Sequence, residues 1–329
     1  VQDPWKSGRH SKMLQPATAA SVIGNFKAGA ITLHESPYRL RVANGQYFIT
    51  ESYLTGGEWE HRIDYTLGSR RVQHYLTTLE DGRIVILPPS WDVQRRQWFD
   101  NMEIVRPDQF EGKPIQLWNK NCQGCHVSQQ KNNYSPVNRT YATEWQDFGT
   151  SCERCHGPGS AHVETYTRAR DPAEVTDHAI VRPTRLDPKT SSMICAQCHS
   201  FRETMASGFT AGANYYDYFL PLSEYGPRKD QDPPYWAEGR PRRFSNDAIG
   251  LWQSQCFLRG GVTCTNCHRD PHAPNIEENA QLKSGNNILC TRCHREIGAN
   301  LTAHTRHGAD SAGSACVECH MPKAVVAIK

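Results

Sequence analysis

Cysteine and histidine recur together in this 329-residue chain at a spacing that can do chemistry. Twelve of the thirteen cysteines form six Cys-x-x-Cys pairs, and a histidine directly follows every pair. Chance would give roughly 0.02 such pentapeptides in a chain of this length. The six segments are CQGCH, CERCH, CAQCH, CTNCH, CTRCH and CVECH. Their repetition indicates one chemical function that is used six times.

The Cys-x-x-Cys-His spacing suits covalent attachment of a haem. Two thiols three residues apart lie on one side of a helical turn, where they can add to the two vinyl groups of one haem. The adjacent imidazole then ligates the iron from one face. We therefore expect six covalently attached c-type haems. The attaching cysteines would be Cys122, Cys125, Cys152, Cys155, Cys195, Cys198, Cys264, Cys267, Cys290, Cys293, Cys316 and Cys319, and the proximal iron ligands His126, His156, His199, His268, His294 and His320.

Zinc sites and a disulfide framework are the competing interpretations of these cysteines. Two converging pairs could make a four-thiolate zinc site, but zinc gives no reason for a histidine after all six pairs. A disulfide framework fails likewise, because Cys-x-x-Cys seldom bridges distant segments. The thirteenth cysteine, Cys256 in WQSQCFLRG, is expected to be a small buried apolar residue, with a redox or intersubunit role as the alternative.

The mechanism depends on what ligates the other face of each iron. Six of the fifteen histidines belong to the motifs, which leaves nine as candidates. If all six irons have two imidazoles, no iron has an open position, and the protein carries electrons without binding a substrate at iron. An iron that lacks a protein sixth ligand would instead be a candidate catalytic site.

Four of the nine histidines lie close to motifs. His162 follows its motif by six residues and cannot easily cross its own porphyrin, so we expect it to reach a neighbouring haem, and the same argument applies to His272 in CHRDPH. His304 and His307 precede the last motif in a short polar loop that has no other need of histidine. We expect them to ligate other haems.

Composition excludes several classes of protein. The chain has 37 basic and 34 acidic residues, a formal net charge of +3 and no Lys/Arg-rich run, which argues against nucleic acid as a partner. It contains no apolar stretch long enough to span a membrane. Haem attachment of this kind occurs outside the cytoplasm. The chain begins at Val1 without a signal segment, so we expect an exported, processed protein that is periplasmic or extracellular.

Two regions with different patterns position these residues. Residues 1–118 alternate apolar and polar side chains around Asn-Gly in YRLRVANGQYFITES and around Asp-Gly in RRVQHYLTTLEDGRIVILPPSW. The pattern predicts a small module of four to six antiparallel strands that ends at LPPSWD, with WDVQRRQWFD beginning the transition. Residues 119–329 hold every motif, and they predict short helices, long connections such as a surface loop at 221–244, and porphyrins forming much of the core. The fold class is thus α+β, with a β module before a haem-packed, loop-rich domain.

Several longer runs resemble a known family. CERCHGPGSAH, IVRPTRLDP with ICAQCH, GVTCTNCHRDPHAP and HTRHGADSAGSACVECHMP are similar to the multihaem c-type cytochrome superfamily that includes pentahaem nitrite reductase and octahaem hydroxylamine oxidoreductase. RRVQHYLTTLEDGR and WKSGRH extend the likeness upstream. Most similar are relatives whose cytochrome module stands alone or precedes tetratricopeptide repeats.

The resemblance implies haems packed in pairs, mostly with two histidine ligands, and electron transfer outside the cytoplasm. It adds His74 in VQHYL and His10 in WKSGRHSKM to the distal ligands, whereas His34, His61 and His178 fit exposed strand or loop positions. Arginines beside the motifs would pair with haem propionates, namely Arg154, Arg269, Arg292 and Arg295. The Cys-x-x-Cys-Lys typical of pentahaem nitrite reductase is not in this sequence, which argues against nitrite reduction.

These patterns predict a hexahaem cytochrome that relays electrons between redox partner proteins or extracellular acceptors. The distal set would be His10, His74, His162, His272, His304 and His307. In a stronger version the chain forms a homopolymer, and His10 ligates a haem of the next subunit. The alternative is an oxidoreductase that acts on small nitrogen or sulfur oxyanions at one five-coordinate haem.

Overall fold

A computed structural model describes residues 2–52, 57–103, 108–110, 113–221, 235–236, 239–242, 247–268, 270–272 and 287–321. Its contacts group these residues into two compact units. The sheet unit takes in Arg9–Ser151, and the motif unit takes in the described residues up to Gly8 and from Cys152 onwards. The first Cys-x-x-Cys-His segment therefore packs with the sheets, and the other five lie in the motif unit. The predicted domain boundary between residues 118 and 119 stays a prediction.

The sheet unit is built from antiparallel strands. The longer of its two main sheets runs β1-β6-β7-β8-β11-β10 with β9 paired to β8, and the shorter runs β2-β3-β4-β5; β12 and β13 form a separate pair. The strands are β1 (Leu14–Pro16), β2 (Ala30–Leu33), β3 (Ser36–Ala43), β4 (Gln46–Ser52), β5 (Glu58–Arg62), β6 (Tyr65–Leu67), β7 (Val72–Thr78), β8 (Ile84–Asp92), β9 (Gln97–Asp100), β10 (Asp108–Phe110), β11 (Lys113–Leu117), β12 (Val127–Ser128) and β13 (Asp147–Phe148).

The two predicted hairpins are confirmed. β3 and β4 are joined by Asn44 and Gly45, both with positive φ (50° and 73°), as the tight turn of a twisted hairpin requires. β7 and β8 are joined through Gly82, whose φ is +79°. A Cβ at Gly82 would lie 1.9 Å from the carbonyl oxygen of Tyr141, so this turn has no room for a side chain.

The β module is larger than the predicted four to six strands. Strands such as β1 and β6 have only three residues each, too few to show an alternating pattern. WDVQRRQWFD was expected to begin the transition to the next region, and this prediction was wrong. The segment forms the tip of the β8–β9 hairpin, in which Trp91 pairs with Trp98. LPPSWD therefore does not end the module, because β8 carries both of its prolines within the strand.

The first motif is anchored by a buried tryptophan. α2 (Trp118–Asn121) and α3 (Gln123–His126) follow β11 directly, and the carbonyl of Trp118 accepts a hydrogen bond from the backbone N–H of Cys122. The Trp118 side chain is fully buried among Leu14, Leu76 and Val127. Burying an aromatic side chain of this size stabilises a fold by about 3 kcal/mol or more. The sheet core therefore fixes where the first Cys-x-x-Cys-His turn lies.

The motif unit consists of short helices and turns, as predicted. Each of its five motifs lies on or next to a helix of four to nine residues. The described helices are α1 (Gln2–Ser7), α4 (Cys152–His156), α5 (Ser160–Arg168), α6 (Pro188–Ala196), α7 (Asp247–Gln253), α8 (Gln255–Leu258), α9 (Cys264–Cys267), α10 (Ile288–Thr291), α11 (Arg295–Ala299), α12 (Leu301–Thr305) and α13 (Cys316–His320), with one strand pair, β14 (Arg202–Thr204) and β15 (Phe219–Pro221).

One apolar cluster holds the middle of the motif unit. Met193 and Ala196 of α6 pack against Tyr215, Phe219 and Ala248. α6 begins where the carboxylate of Asp187 accepts hydrogen bonds from the N–H groups of the first turn, with Pro188 at its first position. The predicted surface loop at 221–244 lies mostly outside the described residues. No helix in the described part of the chain is long and apolar enough to cross a membrane.

Candidate haem-binding site

None of the thirteen cysteines forms a disulfide in the structure. Among the described residues, no group of three or more His, Cys, Asp or Glu side chains is arranged to hold a metal ion. Cys256 is exposed, so the prediction that it is a buried apolar residue was wrong.

Thiols of successive motifs lie near one another in the motif unit. Interacting pairs occur between the second and third, third and fourth, fourth and fifth, and fifth and sixth motifs: Cys155 with Cys198, Cys195 with Cys264, Cys267 with Cys293, and Cys290 with Cys316. The hydrogen bond with Cys264 raises the pKa of the Cys195 thiol. Burial, and then the neighbouring Cys198, raises the pKa of Cys155 to about 11. The attachment segments therefore follow one another in space in chain order.

His74 and His126 are both buried in the sheet unit and lie near enough to interact electrostatically. Burial lowers the pKa of the His126 imidazole to about 4, and burial together with the charge on His126 lowers that of His74 to about 4. Both rings are therefore neutral near pH 7, the state in which an imidazole can donate a lone pair to a metal. His126 belongs to the first motif, and His74 is a residue of β7. The sheet thus brings a predicted distal imidazole to a predicted proximal one.

A hydroxyl orients the His74 ring. Its Nδ1 lies 2.7 Å from Oγ of Ser90 on the neighbouring strand β8. The β7–β8 register shifts between His74 and Leu76, an irregularity that changes the direction of side chains at this point of the sheet. Because Nδ1 is held, Nε2 is the nitrogen that remains for a metal. Sequence reasoning did not identify Ser90, since an isolated serine in a strand carries no signal.

His156 of the second motif faces His272. The ring centroids are 6.0 Å apart, and the ring planes differ by 9°. Nδ1 of His156 lies 2.8 Å from the carbonyl oxygen of Val181, and Nδ1 of His272 lies 3.1 Å from a carboxylate oxygen of Asp270. These partners orient both rings and leave Nε2 of each to a metal, as outer-shell groups do for metal-bound histidines.

His304 faces His320 in the same way. The ring centroids are 6.1 Å apart, and the planes differ by 14°. His304 lies on α12, which ends at Arg306 in the left-handed conformation, and His320 closes the motif on α13. The His304 ring thus faces the imidazole of the motif that follows it directly, whereas the sequence assigned it to another haem.

His199 of the third motif has a carboxylate partner. Its Nδ1 lies 3.2 Å from Oδ2 of Asp247, and this hydrogen bond raises the pKa of His199 and lowers that of Asp247. Burial and the charge on His199 lower the pKa of the neighbouring His268. Asp247 was missed by sequence reasoning because 48 residues separate it from His199.

The other three predicted distal histidines are described by different contacts. His162 on α5 is oriented by the carbonyl oxygen of His178, 2.7 Å from its Nδ1. The exposed His307 packs its ring against Gly313, where a Cβ would come within 2.5 Å. His10 is exposed in a 3-10 helix, and its carbonyl accepts a hydrogen bond from the N–H of Thr150. Their ligand roles stay predictions.

Two histidines that the sequence set aside have other contacts. Nε2 of His34 lies 2.5 Å from a carboxylate oxygen of Glu103, and both side chains are exposed. The hydrogen bond with Glu103 raises the pKa of His34. His61 on β5 packs edge-on against Trp59. Both contacts are typical of surface strands.

The propionate role of the arginines stays a prediction. Nη2 of Arg154 lies 3.9 Å from the sulfur of Cys198, so this guanidinium sits beside the third motif. Arg292 is exposed, and its carbonyl accepts a hydrogen bond from Nε of Arg295. Arg269 lies outside the described residues.

The centroid spacing of the two facing imidazole pairs equals the spacing expected across an iron atom. A metal–nitrogen bond of about 2 Å, plus about 1 Å from nitrogen to ring centre on each side, gives centroids about 6 Å apart. The two facing pairs match this span. In each pair one ring belongs to a Cys-x-x-Cys-His motif, whose two thiols can attach the porphyrin.

Comparison with known proteins supports the same chemistry. Residues 258–299 match the doubled CXXCH motif family, which takes in the fourth and fifth motifs. No curated protein and no solved structure matches the chain. The doubled motif indicates covalent binding of c-type haem by this segment. The chain is therefore a c-type haem-binding protein with a mixed α+β fold.

Proposed function

We propose that the chain is a hexahaem c-type cytochrome that relays single electrons through closely packed haems, each iron held between two imidazoles. The observation that carries this proposal is the pair of facing imidazoles at His156–His272 and His304–His320, with ring centroids 6.0 and 6.1 Å apart. A bound haem supplies the one-electron couple of its iron. The protein's residues fix the spacing, the ligand orientation and the burial that set each potential.

The neighbouring thiols support a relay rather than six isolated centres. From the second motif to the sixth, each motif has a cysteine whose thiol interacts electrostatically with a cysteine of the next motif. Thioethers formed at these positions would hold successive porphyrins close together, in the order of the sequence. Redox partner proteins, or acceptors outside the cell, would exchange electrons at the ends of this series.

We further propose that the protein works in the periplasm or outside the cell, where c-type haem is attached. In the polymeric version, the exposed His10 ligates a haem of a neighbouring copy. The test is replacement of His10 by Ala, followed by electron microscopy and size measurement. Loss of polymers with all six haems retained supports this version, whereas unchanged polymers, or a wild-type chain that stays monomeric, contradict it.

The haem count and spin state test the main proposal. The chain should be expressed with its haem-attachment machinery and measured by intact mass, pyridine haemochrome assay and electron paramagnetic resonance. Six haems per chain, all low-spin in the ferric state, are expected. Fewer haems in the wild-type chain would contradict the hexahaem assignment. A high-spin iron together with turnover of nitrite or hydroxylamine would favour the oxyanion oxidoreductase instead.

Two cysteine variants, matched as test and control, check the number of attached haems. Cys122→Ser removes one thioether of the first motif and is expected to reduce the yield of six-haem chains. Cys256→Ser changes the exposed thiol outside the motifs and is expected to leave six haems in place. Loss of a haem in the second variant would contradict the assignment of attachment to the six motifs.

A further inference from the structure

Asn287 joins the fifth motif to the sixth. Its backbone carbonyl accepts hydrogen bonds from the N–H groups of Cys290 and Thr291, so it closes the first turn of α10, the helix of the fifth motif. Its side-chain amide reaches the sixth motif. Oδ1 accepts a hydrogen bond from the backbone N–H of Cys316 at 2.9 Å, and Nδ2 donates one to the carbonyl of Ser314 at 2.9 Å. One residue therefore holds both attachment turns.

The side chain of Asn287 supplies a cap for α13, the helix of the sixth motif. The first N–H groups of a helix have no partner within that helix. Ala315 stands at the N-cap position of α13 and makes no side-chain capping bond, and the N–H of Cys316 is bonded to Asn287 instead. An asparagine amide holds both an acceptor and donors, so it can bind an N–H and a carbonyl of one segment together. The start of the sixth motif is thus fixed from the fifth.

The turn that Asn287 binds is itself closed by local hydrogen bonds. Oγ of Ser314 donates to the carbonyls of Ala309 and Ser311, at 2.6 and 2.7 Å. Ser314 is also buried. The bond to the carbonyl of Ser314 therefore positions a complete turn and not one flexible side chain.

A second amide joins the second and third motifs. Gln197 lies between the two cysteines of the third motif, and its side chain is buried. Its Nε2 donates to the carbonyl of Arg154, within the second motif, at 2.8 Å. The same nitrogen donates to the carbonyl of Ile194 on α6 at 2.7 Å. At two junctions between successive motifs, then, an amide side chain at one motif is bound to the backbone of the other.

We propose that Asn287 is a positioning residue that sets the distance between the fifth and sixth haems, and that Gln197 does the same for the second and third. The inference rests on the proposed haem function. Thioethers tie each haem to its motif, so the separation of two haems follows from the separation of their attachment turns. Electron transfer between haems slows steeply as that separation grows. The two amides thus act on the rate of the relay without ligating an iron.

Replacement of Asn287 by Ala in the haem-loaded protein tests the proposal. Intact mass, the pyridine haemochrome assay and electron paramagnetic resonance should match wild type, because every motif cysteine and histidine is kept. A crystal structure or cryo-electron microscopy map should show a longer distance between the fifth and sixth irons, and electron equilibration after flash photoreduction should be slower. Gln197→Leu should lengthen the distance between the second and third irons instead. Asn214→Ala is the control, since that exposed amide bonds to Asp217 nearby, and it should change neither quantity.

Asn287→Asp decides the question if the alanine variant does not accumulate with all its haems. Aspartate keeps the acceptor for the N–H of Cys316 but loses the donor to the carbonyl of Ser314, so the same distance should lengthen by less. Unchanged iron distances and unchanged equilibration in a fully loaded Asn287 variant would overturn the proposal, and so would a lower unfolding temperature as its only effect. A wild-type chain without haem on the fifth and sixth motifs would instead overturn the proposed function, so the two failures are distinguishable.

Discussion

Replacing Asp247 by Asn should raise the reduction potential of one haem. The Asp247 carboxylate accepts a hydrogen bond from Nδ1 of His199, the proposed proximal imidazole of the third motif. A carboxylate partner gives a ligating imidazole more electron density and places a negative charge near the iron. Both effects favour the ferric state. An amide at this position keeps the shape but removes the charge, so the ferrous state becomes easier to reach.

The size of the shift follows from the distance and the exposure. A 3.2 Å hydrogen bond puts the charge across one imidazole from the metal, which is about 7 Å. At that distance the Coulomb energy is about 2.4 kcal/mol for an effective dielectric constant of about 20 and about 0.6 kcal/mol for one of about 80. For one electron these energies correspond to about 100 and about 25 mV. The Asp247 side chain is 79% exposed, so water screens much of its charge. We therefore expect a rise of about 25–60 mV.

A spectroelectrochemical titration of the wild-type protein and the Asp247→Asn variant measures this shift. One of the midpoint potentials should rise, and the others should move by much less. Asp217→Asn is the control, because that exposed carboxylate bonds to the Asn214 side chain and not to an imidazole. A variant whose lowest potentials all stay within error of wild type, or fall, would refute the assignment of Asp247 to the third haem.

Three further changes test the sheet unit. His74→Ala should convert one low-spin ferric iron to high-spin, reversed by imidazole, and unchanged electron paramagnetic resonance would contradict its ligand role. Gly82→Ala should destabilise the unit by about 2 kcal/mol or more, since its Cβ would meet a backbone carbonyl at 1.9 Å. Gly45→Ala is the control, because a Cβ at Gly45 would meet no atom within 4 Å. In urea unfolding, this variant should lose only the free energy needed to hold alanine in the left-handed backbone conformation. Glu103→Gln should lower the raised pKa of His34, measured by NMR of the reduced protein. The small stabilisation from this pair is present below the ordinary histidine pKa and is lost as pH rises through the raised value.

The sequence predicted the features that depend on short patterns. The Asn44–Gly45 turn could be predicted because only a few residues tolerate positive φ at both central positions of a two-residue hairpin turn. The attachment motifs were recognised because two thiols and an imidazole must lie within one helical turn. The hairpin that ends at Trp98 was missed, since aromatic and charged residues in WDVQRRQWFD mask its alternation.

The partners of the histidines could not be predicted, because they depend on tertiary packing. Ser90 meets His74 through strand pairing, and Asp247 meets His199 across 48 residues. The contact between His178 and the hydroxyl of Tyr166 likewise depends on packing of a loop against α5. The sequence context of His178, EVTDHAIV, is that of an exposed loop, and the sequence accordingly placed it among the non-ligands.

The hydrogen-bond partners of the histidine Nδ1 atoms also predict the direction of electron transfer along the proposed haem series. Asp270 lies at hydrogen-bond distance from Nδ1 of His272, which faces the imidazole of the second motif, and Asp247 from Nδ1 of His199 in the third motif. The partner of His156 is instead the uncharged backbone carbonyl of Val181. Negative partners lower the potential of the iron that they serve. The second and third haems should therefore have the lowest potentials of the series that the neighbouring thiols of the second to sixth motifs place in chain order. Electrons entering there would run energetically downhill towards the sixth motif. Asp270→Asn should therefore raise a second low potential, additively with Asp247→Asn; if both variants instead changed only the highest potentials, the predicted direction would be wrong.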